Sequence, residues 1–255
     1  EIVFTQKNEK GLLRKGEMRP KRAKQDIAEA DPSLLHIVYE DSDVIVIDKP
    51  TGLCTIAVPG HPEIPTAYHL VDQYVKIAGG KRTRIWIVHR LDRDTSGLLL
   101  FAKNRESQDV LRHNWNDMVE DRRYIAVAEG IIKPQQGTYS SYLYEDPVLR
   151  RVHSSNHPDA KWAVTHYYVC ETGNNYSLVE LDLETGRKNQ IRVHLSEHGH
   201  PVTGDYRYCA ENNPIRRMAL HAFCLTFHHP KTGEVIDLQT AIPSDFLKVV
   251  RECKK

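Results

Sequence analysis

Apolar and polar positions along this chain change rhythm several times, and each change marks an element. From Leu35 to Tyr39 and from Val44 to Asp48, short β-rich runs flank Glu40, Asp41, Ser42 and Asp43, which predicts a hairpin. Lys49, Pro50, Thr51 and Gly52 then break the strand. Between Thr66 and Gly79 the apolar residues are Ala67, Leu70, Val71, Tyr74, Val75 and Ala78, the spacing of one helix face, with Gly79 and Gly80 as the stop. Ile85 to Val88 and Leu98 to Ala102 have strand length and are separated by a dense polar insert ending in Ser96 and Gly97.

Further on, Val110, Leu111, Asn114, Trp115, Met118 and Val119 recur at steps of three and four, predicting an amphipathic helix over 104–120 with Trp115 in the core. Arg122 to Gly130 reads as a strand, and 131–160 as an irregular excursion carrying a short pair of strands. Trp162 to Cys170 and Tyr176 to Leu183 form two strands across Thr172, Gly173, Asn174 and Asn175. Leu220 to Phe227 and Val235 to Thr240 predict a hairpin, and Phe246, Leu247 and Val250 a closing helix. A single α+β domain fits a chain of this length.

Composition changes this picture little. A chain of 255 residues with 40% apolar content can bury a substantial core. The five cysteines are odd in number, scattered and without a Cys-x-x-Cys pair, so reduced thiols in a cytoplasmic protein are expected. No apolar run approaches the roughly 18 to 20 residues of a membrane span. Net charge is only +1, which by itself implies no polyanionic partner. Charge is nevertheless clustered in the pairs Arg82 and Arg84, Arg122 and Arg123, Arg150 and Arg151, and Arg216 and Arg217. Residues 1–30 are basic and poor in large apolar side chains, so a flexible or partly helical extension of a longer chain is expected there, with the globular domain over 31–255.

The candidate chemistry lies in the insert, where His89, Arg90, Asp92 and Asp94 abut apolar flanks. An Asp at the mouth of a core with cations on both sides is a carboxylate kept charged and aimed. Asp92-Arg93-Asp94-Thr95-Ser96 also approximates the Asp-x-Asp-x-Thr/Val pattern of Mg-dependent phosphotransferases, but His89 and Arg90 interrupt the strand that should lead into the first Asp. His194, His198 and His200 lack the Glu of a His-Glu-x-x-His zinc helix, and no glycine-rich nucleotide loop is present.

The string His89-Arg90-Leu91-Asp92-Arg93-Asp94-Thr95-Ser96-Gly97-Leu98-Leu99 resembles the signature of the RluA-type pseudouridine synthases, which isomerise uridines of ribosomal and transfer RNA. Two further stretches resemble the same family: Arg122 to Gly130, and Leu183 to Leu195 with Gly199-His200-Pro201-Val202 and Gly204-Asp205. The resemblance implies a pseudouridine synthase fold, α+β with a central mixed, largely antiparallel sheet and a catalytic cleft across it. It maps the catalytic acid onto Asp92, the aromatic beside the target uracil onto Tyr124, and the arginine of the acid onto Arg192, with Arg187 the second candidate. His89, Arg90, Arg93, Thr95 and Arg187 are then expected to contact RNA, Arg90 propping the space left by a flipped base.

Asp92 is expected to cleave the glycosidic bond by attack at C1′ or by removing the 2′ proton. The resemblance implies an RNA substrate, no cofactor, no metal, no membrane association and no obligatory protein partner for a monomeric enzyme. A non-catalytic RNA-binding paralogue would lack the acid, the Tyr or the arginine, and all three are present. Two departures stand out: Asn189 where a His is common, and Cys209 where a Gly commonly follows the Tyr. Neither is expected to touch the acid, the aromatic or the arginine.

Overall fold

The computed structural model describes residues 35–61, 63–80 and 82–252, so the expected basic extension over 1–30 lies outside the described residues. Strands β1 (His36–Glu40) and β2 (Val44–Lys49) form the first hairpin, its turn held by Asp41, whose Oδ1 accepts the N–H groups of Asp43 and Val44 at 2.7 and 2.8 Å. Helix α1 (Ala67–Gly79) starts where the Thr66 side chain accepts the His69 N–H, and its buried Ala67, Val71 and Val75 pack on Ile45, Ile47 and Phe101. Strands β3 (Trp86–Ile87) and β4 (Ser96–Ala102) pair antiparallel on either side of the polar insert.

The single helix expected over 104–120 is corrected to α2 (Arg105–His113) and a short α3 (Trp115–Met118), with β5 (Val119–Glu129) already beginning at Val119. The break falls at Asn114, whose side-chain amide bonds the Val110 carbonyl at 3.1 Å and competes with helical pairing. The excursion over 131–160 is more regular than expected. There β6 (Gln136–Asp146) pairs with β7 (Arg151–Ser154) and, over Gln136 to Leu143, with β8 (Lys161–Thr172). Strand β9 (Tyr176–Leu183), helix α4 (Gln190–Glu197), hairpin β10 (Leu220–His228) and β11 (Val235–Gln239), and helix α5 (Ser244–Glu252) complete the chain as read from the sequence. No helix among the described residues is long and apolar enough to cross a membrane.

One sheet runs β1-β2-β4-β10-β5-β9-β8-β6-β7, with β3 and β11 pairing β4 and β10 at its side, so the architecture is the expected open α+β sheet. Every pairing is antiparallel except β4 with β10, which join in parallel at Ser96 with His221 and Gly97 with Ala222. This short seam unites two lobes. Arg217 donates to the Ser96 hydroxyl at 3.0 Å, Ser96 lies 2.8 Å from Nδ1 of His221, and Nε2 of that ring lies 2.8 Å from Thr240. Burial pushes the His221 pKa down to about 4, so the ring is neutral and donates through one nitrogen while accepting through the other, joining Ser96 to Thr240.

Gly97 has φ +112°, and a Cβ there would lie 2.2 Å from the Ala222 carbonyl oxygen, so only glycine lets the lobes meet. Gly97→Ala is expected to cost about 3 kcal/mol or more. A melting temperature within about 2 °C of the parent's would show that the seam tolerates a side chain.

Candidate active site

The loop between β3 and β4 is anchored by its neighbours so that selected side chains face outward. Leu91 is buried, and its N–H and carbonyl both bond the Thr55 hydroxyl, at 3.2 and 2.8 Å. Lys49, fully buried at the end of β2, donates to the carbonyls of Pro50, Leu53 and Arg93 at 2.9, 2.8 and 3.0 Å. Burial pulls its pKa down to about 8, and the carboxylates of Asp94 and Asp92 act the other way. Thr51 holds the Asp94 carbonyl at 2.9 Å. Three side chains from one turn therefore fix the backbone on either side of Asp92.

His89 belongs to the fold more than to the surface. Its Nε2 accepts the Leu100 N–H at 3.0 Å, its ring packs on Trp115 at 5.0 Å, and burial pushes its pKa down to about 3. Thr95 is only 3% exposed. Both residues still line the cleft, so packing fixes their positions there. Arg90 is exposed and makes no hydrogen bond or ion pair among the described residues. Arg93 forks onto Asp94 at 3.0 and 3.2 Å, so the second carboxylate of the phosphotransferase-like pattern is already engaged by a cation.

Asp92 meets its arginine from the far side of the cleft. After β9, Gln190 ties the turn by accepting from the Thr185 hydroxyl and the Arg187 N–H and donating to the Val164 carbonyl, all at 2.8 to 3.0 Å. Asn189 enters α4 in the left-handed conformation, which Asn adopts more readily than most residues. Arg192, in the first turn of α4, donates from Nη1 to Oδ2 of Asp92 at 2.9 Å. Its Nε and Nη2 form a fork on Asp205 at 2.6 and 2.9 Å, and its Cζ lies 4.8 Å over the Tyr208 ring.

Burial opposes the charge of Arg192, but the carboxylates of Asp205 and Asp92 outweigh it and hold the guanidinium above its ordinary pKa. Arg187, the second candidate, is exposed and bonds the Trp162 carbonyl instead. The departure at Asn189 needs correction, because its Oδ1 accepts from Arg192 at 3.3 Å while its amide donates to the Tyr208 hydroxyl at 3.0 Å. Asn189 is thus a direct prop of the arginine.

Tyr124 stands on β5 between Leu181 of β9 and Ala222 of β10, in the floor of the cleft. Burial pushes its hydroxyl pKa up, Arg122 lowers it and Asp92 raises it, so the phenol is neutral and lies close enough to feel the acid. The cleft, about 1140 Å³, brings Arg90, Asp92, Tyr124, Arg187 and Arg192 together. Trp115, expected in the core, is half-buried and also lines the cleft wall. The three histidines considered for zinc serve the fold. His194 bonds Thr165 and Ser141, with its pKa pushed to about 4 by burial, His198 stacks on Tyr139 at 3.9 Å, and His200 bonds the Glu129 carbonyl.

Four residues escaped the sequence reading: Asp205, Tyr208, Lys49 and Arg122. The Gly-Asp after α4 signalled the first, and a Lys closing an apolar strand signalled the third. An Arg two positions before Tyr124, hence on the same strand face, signalled the fourth.

An Asp and its arginine face an aromatic floor at Tyr124, with arginines at the rim, in a cleft suited to enzyme chemistry. The model of the RNA pseudouridylate synthase family matches residues 43–197. The chain is 37% identical over 228 residues to the RNA pseudouridine synthase YlyB of Bacillus subtilis, covering 89% of this chain and 75% of that one. It is 37% identical over 240 residues to ribosomal large subunit pseudouridine synthase D of Haemophilus influenzae, covering 89% and 73%. Among solved structures, human RNA pseudouridylate synthase domain containing 1 superposes with a TM-score of 0.69 at 26% identity, covering 88% of this chain and 89% of that one. The chain belongs to the RNA pseudouridylate synthase family, and its activity is the isomerisation of uridine in RNA.

Asp205 is 2% exposed on its side chain and carries most of the Arg192 charge. Asp205→Ala is expected to cost about 3 to 5 kcal/mol, since it leaves a buried guanidinium half-compensated. Denaturant titration checks this, and a loss under about 1 kcal/mol would mean that Asp92 alone suffices.

Proposed function

We propose that the enzyme modifies a uridine of structured ribosomal or transfer RNA, with Asp92 as the reacting carboxylate and Arg192 as its positioning partner. The observation that carries this reading is the one-sided pairing of Asp92. Oδ2 is held by Arg192, while Oδ1 has no hydrogen-bond partner among the described residues and is open to the cleft. Relatives named for the large ribosomal subunit support ribosomal RNA as the first substrate to test. Extruding the nucleotide costs a few kcal/mol, offset by stacking on Tyr124 and by the unpartnered Arg90 entering the vacated space. Arg93 and Arg187, both exposed at the rim, contact the flanking backbone.

With the uridine seated, Oδ1 is the atom that reaches the sugar. The C1′–N1 bond breaks, the uracil turns, C1′–C5 forms, and the C5 hydrogen leaves to solvent while N1 gains a proton. The sum is an isomerisation without electron transfer. One chain supplies every group named here, so the enzyme acts as a monomer, in the cytoplasm where such RNA matures.

Asp92→Asn is expected to abolish tritium release from C5-labelled uridine RNA while leaving melting temperature and RNA affinity close to the parent's. Retained release in single-turnover assays would sink the mechanism. At Tyr124 the outcome splits by substitution: Phe keeps affinity, whereas Ala weakens it by about 1 to 3 kcal/mol. Normal binding and turnover by Tyr124→Ala would reduce the ring to ordinary core.

A further inference from the structure

Among the cations lining the cleft that the chemistry above does not use, Arg122 is the half-buried one. Arg122 stands two residues before Tyr124 on β5, so both side chains leave the same strand face and line the cleft. Its hydrogen-bond partner is the Leu183 carbonyl, 3.1 Å from Nη2, and its Cζ lies 5.7 Å over the Trp115 ring. No Asp or Glu among the described residues forms an ion pair with it, and the acid whose charge it feels, Asp182, does so only at a distance. Arg151 is likewise without a carboxylate, resting on the Tyr208 ring outside the cleft, but three other half-buried arginines are paired. Arg123 has Asp121 and Glu180, Arg192 has Asp92 and Asp205, and Arg217 has Asp245.

The position is nevertheless built. Trp115 is backed by His89, which is itself fixed by the Leu100 N–H. At Gly186 a Cβ would come within 2.8 Å of Nη1, so the loop passing the guanidinium carries no side chain there. Burial pulls the Arg122 pKa below its ordinary value, the mark of a charge removed from water without a counterion. Such a charge is costly until an anion joins it. In RNA the base and sugar of a uridine are neutral, and the full negative charge is on the phosphodiester.

We propose that Arg122 is the seat of one backbone phosphate, that of the flipped uridine or of its immediate neighbour, and that this contact sets how the nucleotide enters beside Tyr124 and Asp92. The inference rests on the proposed RNA isomerase reading and deepens it. Trp115 and Gly186 serve by leaving the guanidinium accessible, and the donors it keeps beside the Leu183 bond suit phosphate oxygens.

The test compares wild type, Arg122→Gln, Arg122→Lys and Arg251→Gln, the last removing a surface arginine that pairs with Glu171 outside the cleft. Affinity for substrate RNA is measured across a salt series, with single-turnover tritium release alongside. Arg122→Gln is expected to weaken binding about tenfold or more and to reduce the salt slope by about 1, with Arg251→Gln unchanged and Arg122→Lys restoring the slope. RNAs carrying a neutral methylphosphonate at each phosphate around the target then locate the contact. One such substitution should weaken the wild type and leave Arg122→Gln indifferent.

A wild-type salt slope in Arg122→Gln, or a methylphosphonate penalty equal in both proteins at every position, overturns the inference. If Arg122→Gln fails to fold, the Lys variant decides: its penalty at the located phosphate should shrink while the others stay. An inactive wild type would instead sink the isomerase reading, so the two failures are distinguishable.

Discussion

A guanidinium taken out of water between two carboxylates governs this structure. Arg192 is 12% exposed on its side chain, Asp205 2% and Asp92 32%. The deeper acid takes two donors of the guanidinium and acts as its counterion, and the shallower one is aligned by a single bond. The surrounding structure exists to hold these three groups at that spacing. Lys49, Thr51 and Thr55 pin the loop of Asp92, Gln190 and Asn189 set the start of α4, and Tyr208 carries the guanidinium on its ring. One guanidinium between two carboxylates leaves a local surplus of negative charge. The cations Arg90 and Arg187 line the same cleft and offset that surplus.

The sequence showed the parts whose chemistry is local and hid those that depend on distant partners. Hairpins and the capped helix α1 followed from period and turn residues, because both are decided within a dozen positions. The helix after Asn104 was overextended because the pattern at Trp115, Met118 and Val119 fits a helix face and a strand equally well, and pairing of Val119 with Phe227 settles it. Asp92, Tyr124 and Arg192 were found by resemblance to family motifs; no spacing rule joins residues so far apart. Asp205 was missed as a partner because nothing local requires it to face α4. The two departures from the family pattern prove to share a backbone property: Asn189 and Cys209 both have positive φ, at 54° and 69°. Glycine at the second position would relieve strain that Cys carries, and Asn at the first replaces a His while still reaching the arginine.

The parallel seam bears on how the protein is made. Strand β4 is buried along its whole length, and on the edge away from β2 it meets β3 and His89 at Leu100 to Ala102 and β10 only at Ser96 and Gly97, where His221 follows Ser96 by 125 positions. Synthesis at about 5 to 20 residues per second leaves that edge waiting on the order of ten seconds. During that interval only the start of β4, at Ser96 and Gly97, lacks its partner strand, a short edge on which a foreign strand could pair. Gly97, which later admits β10 so closely, is also the weakest point of that edge, since a residue without a side chain gives an intruder little to hold. Speed of elongation and the supply of chaperones during this window therefore bear on yield as much as any contact in the finished molecule.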